Sequence, residues 1–152
     1  MKKNPNILLL ILSILILIDQ LSKFLVRAFL IEPQRLIGDF LILEKSQNTG
    51  IAFGLKINQN LILLGTIILL FFVLKIVKKE LDTTKKLSQA SILLILAGAV
   101  SNFMDRLMVG SVTDFISFNF WPSFNLADVF IVAGVLMIVV FYKKIKNYKY
   151  KI

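Results

Sequence analysis

Four long apolar runs, 7–25, 61–77, 87–104 and 126–142, restrict the fold of this chain more than any other feature. As helices rising 1.5 Å per residue, each spans on the order of 27 Å, close to the hydrocarbon thickness of a bilayer. Strands are a poor fit, because the runs lack period-two alternation and are too long. With 57% of its 152 residues hydrophobic, the chain is also too apolar for a soluble domain of this length. The reading is an all-α integral membrane protein of four transmembrane helices, forming one unit over residues 1–152.

Lysines set the expected orientation. Lys75, Lys78, Lys79, Lys85 and Lys86 crowd the second connection, Lys143, Lys144, Lys146, Lys149 and Lys151 the tail, and Lys2 and Lys3 the start. The positive-inside rule makes these regions cytoplasmic, and an even number of spans agrees. The net charge of +9 is therefore a topology signal, and no nucleic-acid partner is expected. The start imitates a secretory signal peptide, but no small-x-small cleavage site follows the first run, so it is read as a retained span.

Connections 26–60 and 105–125 then face outward. The first alternates over 35–43, is turn-like at Ser46 to Gly50, and becomes apolar over 51–55, with Gly50 and Gly54 at natural turn or bulge positions. A small extracytoplasmic β-rich subdomain between helices one and two is expected. The two halves show no matched broken helices of the kind found in inverted-repeat transporters.

The chain has no histidine and no cysteine. A Ser-His triad, a Cys-His dyad and a His-ligated zinc site are excluded, which leaves carboxylates for acid and base work. Asp114 sits in the otherwise apolar run Val112-Thr113-Asp114-Phe115-Ile116, where an isolated charge is costly unless shared or protonated. Asp128 lies 14 positions further on, across a short aromatic loop. Three residues before it stands Asn125, so a helix-capping box explains Asn125 and Asp128 equally well. Brought into one cavity, the two aspartates would share a proton. The ionised acid would then activate a water against an amide carbonyl while the protonated one polarised that carbonyl. Such chemistry needs no metal and no cofactor.

Other polar residues admit two readings each. Asp19 and Lys23, at i and i+4, suit a structural ion pair that neutralises a buried charge. Asn48-Thr49-Gly50 is a turn, or a place where bare glycine backbone and an amide meet a peptide. Asn102, Asp105 and Arg106 share one helical face. The last two could be ordinary interfacial charges, whereas an amide one turn deeper wants a partner.

Five segments, in order, resemble the motifs of the bacterial lipoprotein signal peptidase family, also called signal peptidase II. They are Asp19-Gln20-Leu21-Ser22-Lys23, Asn48-Thr49-Gly50-Ile51-Ala52-Phe53, Asn102-Phe103-Met104-Asp105-Arg106, Val112-Thr113-Asp114-Phe115 and Phe124-Asn125-Leu126-Ala127-Asp128. Any one is weak, but all five in order are specific. The resemblance implies an intramembrane aspartyl endopeptidase of the bacterial cytoplasmic membrane, its site toward the outer face. Its substrates would be diacylglyceryl-modified prolipoproteins, cut just before the lipidated cysteine. Asp114 and Asp128 match the catalytic pair. Asn48, Gly50, Asn102, Arg106 and Asn125 match positions that hold substrate or the pair. Asp19, Lys23 and Asp105 take supporting roles, with Asp105 the runner-up for catalysis. Membrane lipid is the expected neighbour, and a monomer the expected working form.

Three departures from the family pattern stand out. The run Ala97-Gly98-Ala99-Val100-Ser101 is poorer in glycine, though still small enough for close helix packing. Thr113 replaces a usual valine. The 116–123 loop is short and carries Phe118, Phe120 and Trp121, either an interfacial anchor or a lid. The competing functional class is a small proton-coupled carrier relaying through Asp114, Asp128 and Asp105.

Overall fold

The computed structural model describes residues 5–50 and 58–148. The elements run α1 (Pro5–Phe29), β1 (Gln34–Ile37), β2 (Leu41–Asn48), α2 (Gln59–Glu80), α3 (Lys86–Met108), β3 (Val112–Phe118), β4 (Trp121–Phe124) and α4 (Leu126–Ile145). All four helices are long and apolar enough to cross a membrane. They outrun the apolar stretches that mark them. In α1, for instance, Arg27 extends the last turn, where a cation suits the carbonyl end of the helix.

The most buried of the four helices is α3, and its seam explains the packing. Ser88, Ser91, Ile95, Gly98, Asn102 and Asp105 are its inward residues, spaced alternately three and four apart so that they line one stripe. The middle of this stripe is small because α4 runs antiparallel against it. A Cβ on Gly98 would lie 2.2 Å from the backbone oxygen of Ala127, and one on Gly134 would lie 2.7 Å from the backbone oxygen of Ser91. In a bilayer, where water provides no drive between helices, such contact of small residues is what holds them together. The glycine in the 97–101 run thus sits where the α4 backbone leaves no room for a Cβ.

One end of the bundle is closed by backbone. The N–H of Asp82 donates to Ile145 at 2.7 Å and that of Asn147 to Glu80 at 2.7 Å, over a buried cluster of Val77, Leu81 and Ile145. The opposite end carries an antiparallel sheet in the order β1-β2-β3-β4. The sheet expected from the first connection is present, and it also recruits β3 and β4 from the third. Two local expectations change. Ser46 to Asn48, read as turn, is strand, because these residues pair with Asp114, Thr113 and Val112. The segment after Ile116, read as a loop, is a hairpin in which Phe118 pairs with Trp121. The apolar 51–55 segment, Gly54 included, lies outside the described residues.

Candidate active site

The site forms where α1, the end of α3, the sheet and the start of α4 converge. Its floor is an ion cluster around Lys23, whose side chain is fully buried. An ammonium has three protons, and this one has three acceptors: Asp19 Oδ2 at 2.7 Å, Asp105 Oδ2 at 3.2 Å and Asn102 Oδ1 at 2.8 Å. Asp19 in turn accepts from the Ala127 N–H at 2.7 Å and the Ser101 hydroxyl at 2.7 Å. Asp105 accepts from Gln20 Nε2 at 3.0 Å and the Thr113 N–H at 3.2 Å, with Arg27 at 3.7 Å. The i, i+4 pair in α1 therefore does more than cancel a charge. It stitches α1 to α3, to the first turn of α4 and, through Asp105, to β3. Asp105 is 1% exposed and both of its oxygens are engaged in this floor.

Above the floor stand Asp114 on β3 and Asp128 in the first turn of α4. Asn125 joins them. Its side-chain oxygen accepts from the Asp128 N–H at 3.1 Å and its own N–H donates to Asp128 Oδ2 at 3.2 Å, the reciprocal capping box. The amide nitrogen of the same side chain donates to Asp114 Oδ1 at 2.6 Å and to Asn102 Oδ1 at 3.2 Å. The capping and site readings of Asn125 are thus one device, since a residue holding the helix start also grips the other carboxylate. Asn48 Nδ2 donates to Asp114 Oδ2 at 3.1 Å and Asn102 Nδ2 to Asp128 Oδ1 at 2.8 Å. Each of the four carboxylate oxygens of Asp114 and Asp128 accepts one N–H.

A bulge in β2 makes the Asn48 contact possible. Leu43 pairs with Ile116 and Ser46 with Asp114, so β2 advances three residues while β3 advances two. Unbroken register would put Gln47 opposite Val112 and turn Asn48 to the other face, because strand side chains alternate. The extra residue between Leu43 and Ser46 sets Asn48 opposite Val112, diagonal to Asp114 on the same face.

Burial raises the Asp114 carboxyl to about 6, with the neighbouring Asp128 charge adding to the rise and the hydrogen bonds from Asn48 and Asn125 opposing it. Gly50 is buried, its N–H donating to Asn48 Oδ1 at 3.1 Å and its carbonyl facing Arg106 Nη2 at 3.4 Å. Arg106 also reaches the Asn102 carbonyl at 3.4 Å, and its buried Nε has no acceptor among the described residues. The motif residues Ile51, Ala52 and Phe53 fall outside the described part.

The structure brings Asn48, Asn102, Asp114, Asn125 and Asp128 into direct contact, and Asp19, Lys23 and Asp105 into the floor beneath. Sequence reasoning missed Gln20, Ser101 and Thr113. Gln20 reaches Ser101 and Asp105, while the Thr113 hydroxyl accepts from Arg27 at 3.0 Å and Gln47 at 3.3 Å. The one available signal was position: Gln20 and Thr113 stand inside two of the quoted segments, and Ser101 directly precedes a third. In the hairpin, Phe118 lies 5.3 Å from Phe40 and stacks at 5.8 Å on Phe124 and 6.1 Å on Phe120, while Phe120 and Trp121 remain exposed.

The profile of the family described as signal peptidase (SPase) II matches residues 11–143. A lipoprotein signal peptidase of Moorella thermoacetica is 39% identical over 132 residues, covering 85% of this chain and 88% of its own. One of Borrelia hermsii is 36% identical over 152 residues, covering 88% of each. A solved structure described as a bacterial membrane enzyme aligns with a TM-score of 0.80 at 30% identity, covering 94% of this chain and 91% of that one.

Proposed function

Since this chain belongs to the signal peptidase II family, we propose that it removes signal peptides from prolipoproteins as an aspartic endopeptidase, with Asp114 and Asp128 as the catalytic pair. The observation that carries this reading is the double grip of Asn125, which holds Asp114 by its side chain and Asp128 by its backbone. With every carboxylate oxygen fixed by an N–H, the remaining lone pairs are free to hold one water. Asp114, buried and raised to about 6, is the acid, and Asp128 is the base.

In the reaction, Asp128 takes a proton from the water as its oxygen attacks the scissile carbonyl carbon. Asp114 gives its proton to the carbonyl oxygen as the tetrahedral centre forms. Collapse of that centre returns this proton to Asp114 and breaks the C–N bond. The proton held by Asp128 goes to the leaving amine. The products are a carboxylic acid and an amine, and the pair ends with one proton, as it began. Asn48, Gly50, Asn102, Arg106 and Asn125 line the substrate side. Arg106 Nε, which has no acceptor among the described residues, offers a donor to a peptide carbonyl. The bond cut is that preceding a diacylglyceryl cysteine, and the site faces outward, with both termini cytoplasmic. Lipid surrounds the bundle, and the working form is a monomer.

The carrier reading lacks support. Asp19, Asp105, Asp114 and Asp128 gather at one end of the bundle, whereas a relay requires acids spaced across it. The decisive assay uses purified lipidated prolipoprotein. Asp114→Asn and Asp128→Asn should each lower kcat by at least about 10³-fold, as expected for a removed acid or base, while membrane insertion is unchanged. Near-normal turnover by either variant would take that residue out of the pair.

A further inference from the structure

Asn102 presents two chemically different ends, and Lys23 decides which end points where. An ammonium can only donate, so the atom 2.8 Å from Lys23 Nζ is the amide oxygen. That oxygen also accepts from Asn125 Nδ2 at 3.2 Å. With the oxygen claimed from two sides, the NH2 group is turned to Asp128 Oδ1 at 2.8 Å. A flipped amide would set its N–H against the Lys23 ammonium and its oxygen against the Asp128 carboxylate, repulsive at both contacts. Lys23 itself is held still by Asp19 and Asp105.

We propose that Lys23 is a positioning residue for catalysis, acting on Asp128 by locking the orientation of the Asn102 amide. The same lock steadies Asp114, because the Asn125 nitrogen that grips Asp114 Oδ1 is shared with the Asn102 oxygen. The α1 ion cluster thereby governs the geometry of a carboxylate it never touches. This inference rests on the reading of Asp114 and Asp128 as the catalytic pair.

The test is a double-mutant cycle in kcat with a synthetic diacylglyceryl prolipopeptide. Lys23 is replaced together with its partner as Asp19→Asn/Lys23→Met, which leaves net charge unchanged and retains an acceptor for the Ala127 N–H. If Lys23 acts through Asn102, this pair and Asn102→Ala should each lower kcat by about 30- to 100-fold, the scale of a misplaced catalytic group, with KM within about twofold. Combined, they should lose no more than the worse of the two. Losses that multiply, or a paired variant within about threefold of wild-type kcat, would overturn the proposal. Asn102→Asp provides a second arm that leaves the ion cluster whole. It keeps oxygens for Lys23 and Asn125 but replaces the N–H to Asp128 with an oxygen, the same repulsive contact a flipped amide would make, so it should lose kcat at least as severely as Asn102→Ala. Wild-type kcat there would equally sink the lock. The two aspartate variants tested alone distinguish failure of the pair from failure of the lock.

Discussion

At the scale of single residues, Asp114 is where physical cost and chemistry meet. Its charge was legible as an anomaly, because an acid in an apolar run must be paired, shared or protonated. The structure provides burial and two amide donors, and burial prevails, raising the group to about 6. The consequence for rate has a definite sign. If Asp114 must carry the proton, the alkaline limb of kcat/KM bends at this value and falls about tenfold per unit as pH rises above it. Once substrate expels water, desolvation of Asp114 deepens, so the alkaline limb of kcat should lie at higher pH than that of kcat/KM. Parallel pH profiles of the two parameters would check this, and a kcat/KM that climbs through pH 6 would make Asp114 the base. Gln20 and Thr113 were not legible in this way. A glutamine or threonine carries no desolvation alarm in the sequence, and their importance arises only from which distant groups fold against them.

Among the elements, helices were readable because their signal is local, and the sheet was readable only in part because its signal is not. The 3.6-residue geometry and bilayer thickness act on contiguous sequence, so the four spans emerge to within a few residues of their ends. The pairing of β2 with β3 joins segments 66 positions apart at Asn48 and Asp114, and nothing in either segment announces the partner. The β2 bulge is likewise invisible beforehand. Deleting Lys45 removes the residue that the bulge absorbs and leaves Asn48 opposite Val112 in a continuous register, so Asn48 keeps its face toward Asp114. We expect kcat within about threefold of wild type with insertion intact, whereas Asn48→Ala, which removes the donor to Asp114, should lower kcat by about tenfold or more in the same cleavage assay. The α3–α4 seam makes a companion prediction. Gly98→Ala forces a methyl group onto the Ala127 carbonyl at 2.2 Å, so the first turn of α4, and Asp128 with it, must move. Overpacking of this kind costs about 1–3 kcal/mol, measurable as a lower unfolding temperature in detergent, and activity should fall with it. Gly65→Ala in α2, where the new methyl meets nothing within 4 Å among the described residues, should be neutral or slightly stabilising.

For the whole molecule, the division of labour between the two ends of the bundle follows from where polar groups can be satisfied. Between the ends, the helices present mostly apolar side chains outward, as with Leu64, Leu69, Phe71, Val132 and Leu136, a surface suited to lipid. Ionised groups therefore collect at the ends, lysines at the backbone-closed end and the carboxylate cluster beneath the sheet. A peptide bond cut at the sheet end would lie near one membrane face, which the proposed orientation, with the lysine-rich end in the cytoplasm, makes the outer one. Because the chain has no native cysteine, orientation can be read from single introduced thiols. Lys45→Cys on β2 and Lys86→Cys at the start of α3 both replace exposed side chains at opposite ends. A membrane-impermeant maleimide applied to intact spheroplasts should label Lys45→Cys and spare Lys86→Cys until the membrane is broken. The reverse pattern would place the carboxylates on the cytoplasmic side, where a signal peptide's cleavage point does not emerge, and the proposed substrate would lose its route to the site.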